Sequence, residues 1–251
     1  MDSQERRALK QRFLKARKAE ARYRSQLRTL ARQIEALIKG FDPTVSNYKV
    51  PEIVNALNAY ADLLKPWAAT VATSMLNDVN QRDFQAWSEH GKYLGTRLRQ
   101  EVATAPVGQE TRQLLAEQVE LITSLPRKAA ERVQGLATGM IHSGERPESL
   151  VAEILKTGLV TESRARLIAR TETSRAAATF MEARARHVGS EGYIWRTSDD
   201  GDVRDSHKKM EGKYVAWGNP PTLDNMRGHA GCLPNCRCWA EPVLPDFKDL
   251  Q

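Results

Sequence analysis

All three cysteines of the chain, Cys232, Cys236 and Cys238, fall within seven residues, and His229 precedes the first by three positions. Thiolate and imidazole are preferred ligands of zinc, so one loop carrying four such groups could fill a tetrahedral site. His207 is a further donor that could replace one of them. A small β-rich module with a modest core would gain stability from such a staple. The spacing is not that of a standard finger, and bringing Cys236 and Cys238 to one ion is expected to need a bend in the backbone. A disulfide from Cys232 to either later cysteine is a rival, disfavoured in a reducing compartment. Three packed free thiols are the third reading. Residue types alone leave all three open.

A second constellation is Thr197, Asp200, Arg204 and His207. Asp200 and Arg204 are close enough in sequence to pair across a turn, and His207 follows Arg204 by about one helical turn. Carboxylate, guanidinium and imidazole within reach of one another form a potential acid–base set. A metal-dependent nuclease working through Asp200, His207 and His229 would be its enzymatic form. No obvious nucleophile or Gly-rich phosphate loop accompanies these residues, so the set is read as a polar network that fixes the turn. The chain is expected not to be an enzyme. A third group is Arg170-Thr171-Glu172-Thr173 with Arg175. Threonines are slightly unfavourable inside a helix, and a Thr-Glu-Thr run invites hydrogen bonds to a neighbouring element. Glu172 is expected to anchor the C-terminal module, through an arginine such as Arg204.

The elements that must position these groups are mostly helices. Leu9, Phe13, Ala16, Tyr23, Leu27, Leu30, Ile34 and Leu37 recur at alternating spacings of four and three, an apolar seam interrupted at Glu20. Gly40 and Asp42-Pro43 stop that helix. Residues 44–105 continue helical, with breaks at Pro51 and Pro66. Helices at about 109–124 and 127–141 follow, divided by Pro126. A short helix runs from Pro147 to Leu155 and ends at Gly158. Thr161 caps a last long helix to about His187, with Leu167, Ile168, Thr171, Ala178 and Met181 facing inward. Beyond Gly189 the pattern changes to strands, Tyr193–Thr197, Lys213–Trp217 and Arg237–Val243, rich in aromatic and β-branched residues. The expected class is α+β. It comprises a mainly α-helical body and a small C-terminal α+β module with a short β-sheet. The segments are a basic helix 1–40, a helical body 41–144, a helical lead-in 145–189 and the module 190–251.

Composition sets the remaining bounds. No apolar run approaches the roughly 20 residues that span a bilayer, so no membrane partner is expected. The N-terminus lacks the apolar core of a signal peptide, which implies synthesis in the cytoplasm. Net charge is +7, and residues 1–40 alone carry 12 Lys/Arg against 4 Asp/Glu. The basic excess is therefore N-terminal. Arg6, Arg7, Lys10, Arg17, Lys18, Arg24 and Arg28 could contact double-stranded DNA or an acidic protein surface. The plain alternative is a solvated helix face.

Taken together and in order, the motifs resemble the Mu F-like family of phage head morphogenesis proteins. The matching stretches are Leu167 to Thr173, Trp195-Arg-Thr197 with Asp200, Val203-Arg204, His207 and Gly212. His229-Ala-Gly-Cys232 and Asn235-Cys-Arg-Cys238 complete the set. The family pattern usually has Pro where this chain has Ala230. The resemblance covers about residues 145–243. It implies a minor head protein of a tailed bacteriophage, lying inside the capsid near the portal. Its implied partners are the portal protein, other head proteins and, in some members, packaged DNA, with no small-molecule substrate. A zinc-stabilised DNA-binding protein unconnected with virions is the competing expectation.

Overall fold

The computed structural model describes residues 3–41, 49–94, 103–143, 147–198 and 201–245, without the side chains of 3–17, 89–94, 140–143 and 147–149. Asp200 lies outside the described residues, as do the side chains of Arg6, Arg7, Lys10 and Arg17. The helices are α1 (Ser3–Gly40), α2 (Val50–Leu63), α3 (Lys65–Leu94), α4 (Gly108–Ser143), α5 (Pro147–Leu155) and α6 (Thr157–His187). They are followed by β1 (Gly192–Arg196), the single turn α7 (Asp205–Lys208), β2 (Tyr214–Ala216), β3 (Thr222–Leu223), β4 (Met226–Arg227) and β5 (Trp239–Val243). The α+β reading holds: a mainly helical chain with a small region of short antiparallel strands. No helix among the described residues is long and apolar enough to cross a membrane.

The chain forms two compact units. One comprises residues 22–73 and 115–169 and the other 1–21, 74–114 and 170–251. In the first, Tyr23, Leu27, Leu30, Ile34 and Ile38 of α1 are buried, together with Ile53, Leu57 and Ala61 of α2 and Ile122, Leu125 and Val133 of α4. The α1 seam ends on Ile38 instead of the expected Leu37, because a straight helix of 3.6 residues per turn drifts from a strict 3.5 repeat. Tyr23 donates its hydroxyl to the buried Gln118 at 2.9 Å, which satisfies both polar groups inside the core.

Three expected boundaries in this unit differ. Pro126 lies inside the continuous helix α4 instead of dividing two helices. An interior proline costs about 3 kcal/mol. Burial of Ile122, Leu125, Ala129, Ala130 and Val133 on both sides of it offsets that cost and holds the helix together. Thr161 is not a cap: α6 starts at Thr157, and the Thr161 hydroxyl donates to the Thr157 carbonyl at 2.8 Å, one turn back. Gly158 does not stop a helix but opens the next one. A Cβ there would stand 2.7 Å from Cγ of Glu35, so glycine serves close packing.

The second unit contains the groups of chemical interest. β1 is the middle strand of an antiparallel sheet of order β2-β1-β5, with Gly192 opposite both Ala216 and Val243 and Arg196 opposite Trp239. β3 and β4 form a separate hairpin whose Asp224 and Asn225 have φ of 53° and 61°. Two successive positive φ angles are what a two-residue hairpin turn requires. Tyr193, Trp195, Val215, Trp217, Leu233 and Ala240 pack with Ala185 and Val188 at the end of α6 and with Trp87 of α3. On the part of α6 that belongs to the first unit, Leu167 is 39% exposed, contrary to the inward position expected for it. Ile168, Ala169, Thr171, Glu172, Thr173 and Ala176 are all buried. Burial on several sides removes the single apolar face on which a periodicity reading depends.

Candidate functional site

The site grows from three elements meeting at Trp195. β1 places Trp195 wholly inside. α7 presents His207, whose ring meets the Trp195 indole edge to face, centroids 5.6 Å apart and planes at 86°. The loop from His229 to Cys238 brings the thiols. His207, Cys236 and Cys238 are all buried, and their ligand atoms lie within 4.8 Å of one another. His207 Nδ1 stands 3.4 Å from both sulfurs. Side chains two apart along an extended segment project to the same side, so the backbone bend expected for Cys-x-Cys is not a condition for both to meet one ion.

Two of the expected donors are not in this cluster. His229 Nε2 lies 3.1 Å from the Trp217 carbonyl, which can only accept, so Nε2 carries the proton. Nδ1 then accepts from the Tyr193 hydroxyl at 3.2 Å, and the Tyr193 oxygen accepts from the Ala230 N–H at 3.1 Å. Both ring nitrogens of His229 are thus used within the module. Burial lowers the His229 pKa, which keeps the ring neutral. Cys232 stands apart from His207, Cys236 and Cys238 as well, and burial pushes its thiol up to about 12. All three cysteines are free. Within the cluster, the hydrogen bond from Cys238 lowers the Cys236 pKa against the opposing effect of burial. The His207 ring and the backbone N–H groups of Gly231 and Cys238 add to that lowering. Cys238 is raised by the same contact, with burial as its second cause.

The polar network seats the loop, while the expected pairing of Arg204 with Asp200 falls outside the described residues. Arg204 donates to the Pro234 carbonyl, and pairs with Asp224 at 3.4 Å. Ser206 donates to the same Asp224 carboxylate at 2.9 Å. Thr197 gives its backbone N–H and its hydroxyl to Glu211, at 2.6 and 2.9 Å. Arg196 bonds both Glu211 and Glu241, tying β1 to β5 and to the turn after α7. Glu172 is not paired with Arg204; its carboxylate takes Arg175 of the same helix at 2.7 Å. Its neighbour Thr171 makes the inter-element bond instead, accepting from the Asn235 N–H at 3.1 Å. Glu211, Asp224 and Glu241 were invisible to motif reading because each is defined only by a partner 14 or more residues away.

Gly231 shows how closely the loop approaches α6. Its φ is +88°, and a Cβ there would lie 3.2 Å from the Cys238 carbonyl and 3.4 Å from Cβ of Ala178. Gly231→Ala is therefore expected to destabilise this unit by roughly 1–3 kcal/mol, from backbone strain plus contact. Chemical denaturation checks it, and an unchanged midpoint would contradict the geometry.

Of the basic residues expected to contact a partner, Lys18, Arg24 and Arg28 have described side chains, all exposed. Arg28 pairs with Glu162 at 2.9 Å.

Residues 131–241 match the family described as phage Mu protein F like protein. An uncharacterized protein of Haemophilus influenzae is 34% identical over 137 residues, covering 55% of this chain and 30% of that relative. The chain thus matches less than a third of the relative's length. No solved structure matches.

Proposed function

We propose, from the match of residues 131–241 to the family described as phage Mu protein F like protein, that this chain is a minor head protein of a tailed bacteriophage. It acts in head morphogenesis, on the inside of the capsid beside the portal, and it turns over no substrate. The observation that carries this reading is the family match itself. It spans α6, β1, α7 and the cysteine loop, the elements that carry the Thr-Glu-Thr run, the Arg204–His207 turn and the Cys cluster.

The site's chemistry is consistent with a structural part. His207 is 2% exposed, and both nitrogens of His229 are taken up by Tyr193 and Trp217. Neither ring is presented to a substrate in the way a general base must be. The portal protein and other head proteins are the proposed partners. Double-stranded DNA is a further one, through the N-terminal basic segment, where an excess of Lys/Arg supplies sequence-independent attraction.

Mass spectrometry of purified procapsids and mature virions tests the reading. Peptides of this chain are expected in both, at a few copies per particle. Their absence from both preparations would remove the proposal. The DNA part has its own check in a salt series with the full chain and with a Lys18→Glu/Arg24→Glu variant, both positions being exposed so that the α1 core contacts stay intact. Affinity should fall steeply with salt for the unaltered chain and be weaker for the variant at low salt. Equal binding by the variant would exclude these side chains of the arm.

A further inference from the structure

We propose that His207, Cys236 and Cys238 bind one zinc ion through Nδ1 and the two sulfurs, and that Cys232 and His229 take no part. The first support is geometric. Zinc holds sulfur at about 2.3 Å and imidazole nitrogen at about 2.05 Å, so the sulfur–nitrogen edge of a tetrahedron is about 3.6 Å. The two edges in this cluster are 3.4 Å each. A single imidazole nitrogen, which carries either one lone pair or one proton, faces two sulfurs at equal distance. An ion placed among the three satisfies all of them at once.

The second support is charge. His207, Cys236 and Cys238 are 2%, 3% and 1% exposed and sit among Trp195, Leu233 and Ala240. An uncompensated charge in such surroundings is costly. Two thiolates balance a dication, and a neutral imidazole leaves the set uncharged. A third thiolate from Cys232 would make it an anion. Binding transfers the thiol protons to solvent as the sulfurs take up the metal. Two sulfurs with one imidazole suit zinc and do not suit magnesium or calcium, which take oxygen ligands.

The third support is that the donors are held in place by other contacts. The Cys236 N–H donates to the Leu233 carbonyl at 2.9 Å, closing the turn that carries the sulfur. Cys238 leads directly into β5. His207 rides on α7, which Arg204 fastens to the Pro234 carbonyl of the same loop. His207 Nε2 is buried without a hydrogen-bond partner, so among the described groups only Nδ1 has neighbours to bind. No fourth His, Cys, Asp or Glu joins the cluster among the described residues, so the proposal leaves the fourth position of the tetrahedron to water.

The inference stands apart from any role in a phage head, and its test does not involve virions. The full chain, purified under reducing conditions, is expected to carry one zinc per chain by elemental analysis. Cys232→Ser should keep that zinc, and Cys238→Ser should lose it. Because Cys238→Ser could also fail to fold, cobalt(II) is added to the unaltered, metal-stripped chain. Sulfur-to-cobalt charge-transfer absorption with tetrahedral visible bands, saturating at one equivalent, is the expected result. Three outcomes would overturn the proposal: no metal after reconstitution, copper in place of zinc, or zinc lost on Cys232→Ser.

Discussion

Replacing Arg184 by Met is expected to destabilise the protein by about 3–5 kcal/mol at pH 8, the range for removing one partner of a buried ion pair. Arg184 of α6 bonds Asp83 of α3 with side chains 4% and 7% exposed, and it donates to Asn80 at 2.6 Å. Its guanidinium also lies 5.8 Å from the centre of the Phe84 ring. Without it, Asp83 is a lone carboxylate in the core. Even with Arg184 present, burial pushes the Asp83 carboxyl up to about 6, the guanidinium opposing. A folded pKa above the unfolded value means that the folded state holds the proton more tightly. Stability from this group is therefore present at low pH and is lost as pH rises through the folded pKa. Removing the cation raises that pKa further, so the deficit of Arg184→Met should shrink as pH falls from 8 to 5. Denaturant titrations of both proteins at the two pH values check this. An equal deficit at both, or one below about 1 kcal/mol, would sink the account.

Trp195→Ala should cost a similar amount, about 3–5 kcal/mol, as expected for a buried aromatic side chain cut to a methyl. Trp195 has no exposed surface, its ring centroid is 6.4 Å from that of Tyr193, and it backs the His207 imidazole. The cavity would open on three sides of the unit at once: the sheet, α7 and the cysteine loop. Trp195→Phe keeps part of the volume and should lose less. Chemical denaturation followed by near-UV circular dichroism compares the three proteins. The variant should also bind the proposed zinc more weakly, since the indole no longer backs the His207 ring. Trp195→Ala within 1 kcal/mol of the unaltered chain would show that this indole is not the centre of the module's core.

Much of this architecture could be read from local pattern. The helix α1 with its seam, the short helix Pro147–Leu155, the strand around Trp195 and the strand before Val243 each follow from periodicity or composition over a few residues. Pro126 and Thr161 show where such reading stops. A proline inside a helix and a threonine that looks like a cap are settled by burial on either side, which belongs to the fold and not to the segment. The same holds for Leu167, left exposed while its polar neighbours Thr171, Glu172 and Thr173 are buried.

The site divides in the same way. By itself the sequence determined which chemistry was on offer: three cysteines and two histidines near one end, an arginine-bearing turn, and a Thr-Glu-Thr helix whose order marks the family. Residue types carry that information because thiolate, imidazole and guanidinium have fixed binding preferences wherever they occur. Only the tertiary structure decided which groups meet. It set His207 against Cys236 and Cys238, gave both nitrogens of His229 to Tyr193 and Trp217, and made Thr171 the contact expected of Glu172. Those pairings join residues tens of positions apart. Their distances come from packing around Trp195, a cooperative outcome of the whole unit that no local spacing encodes.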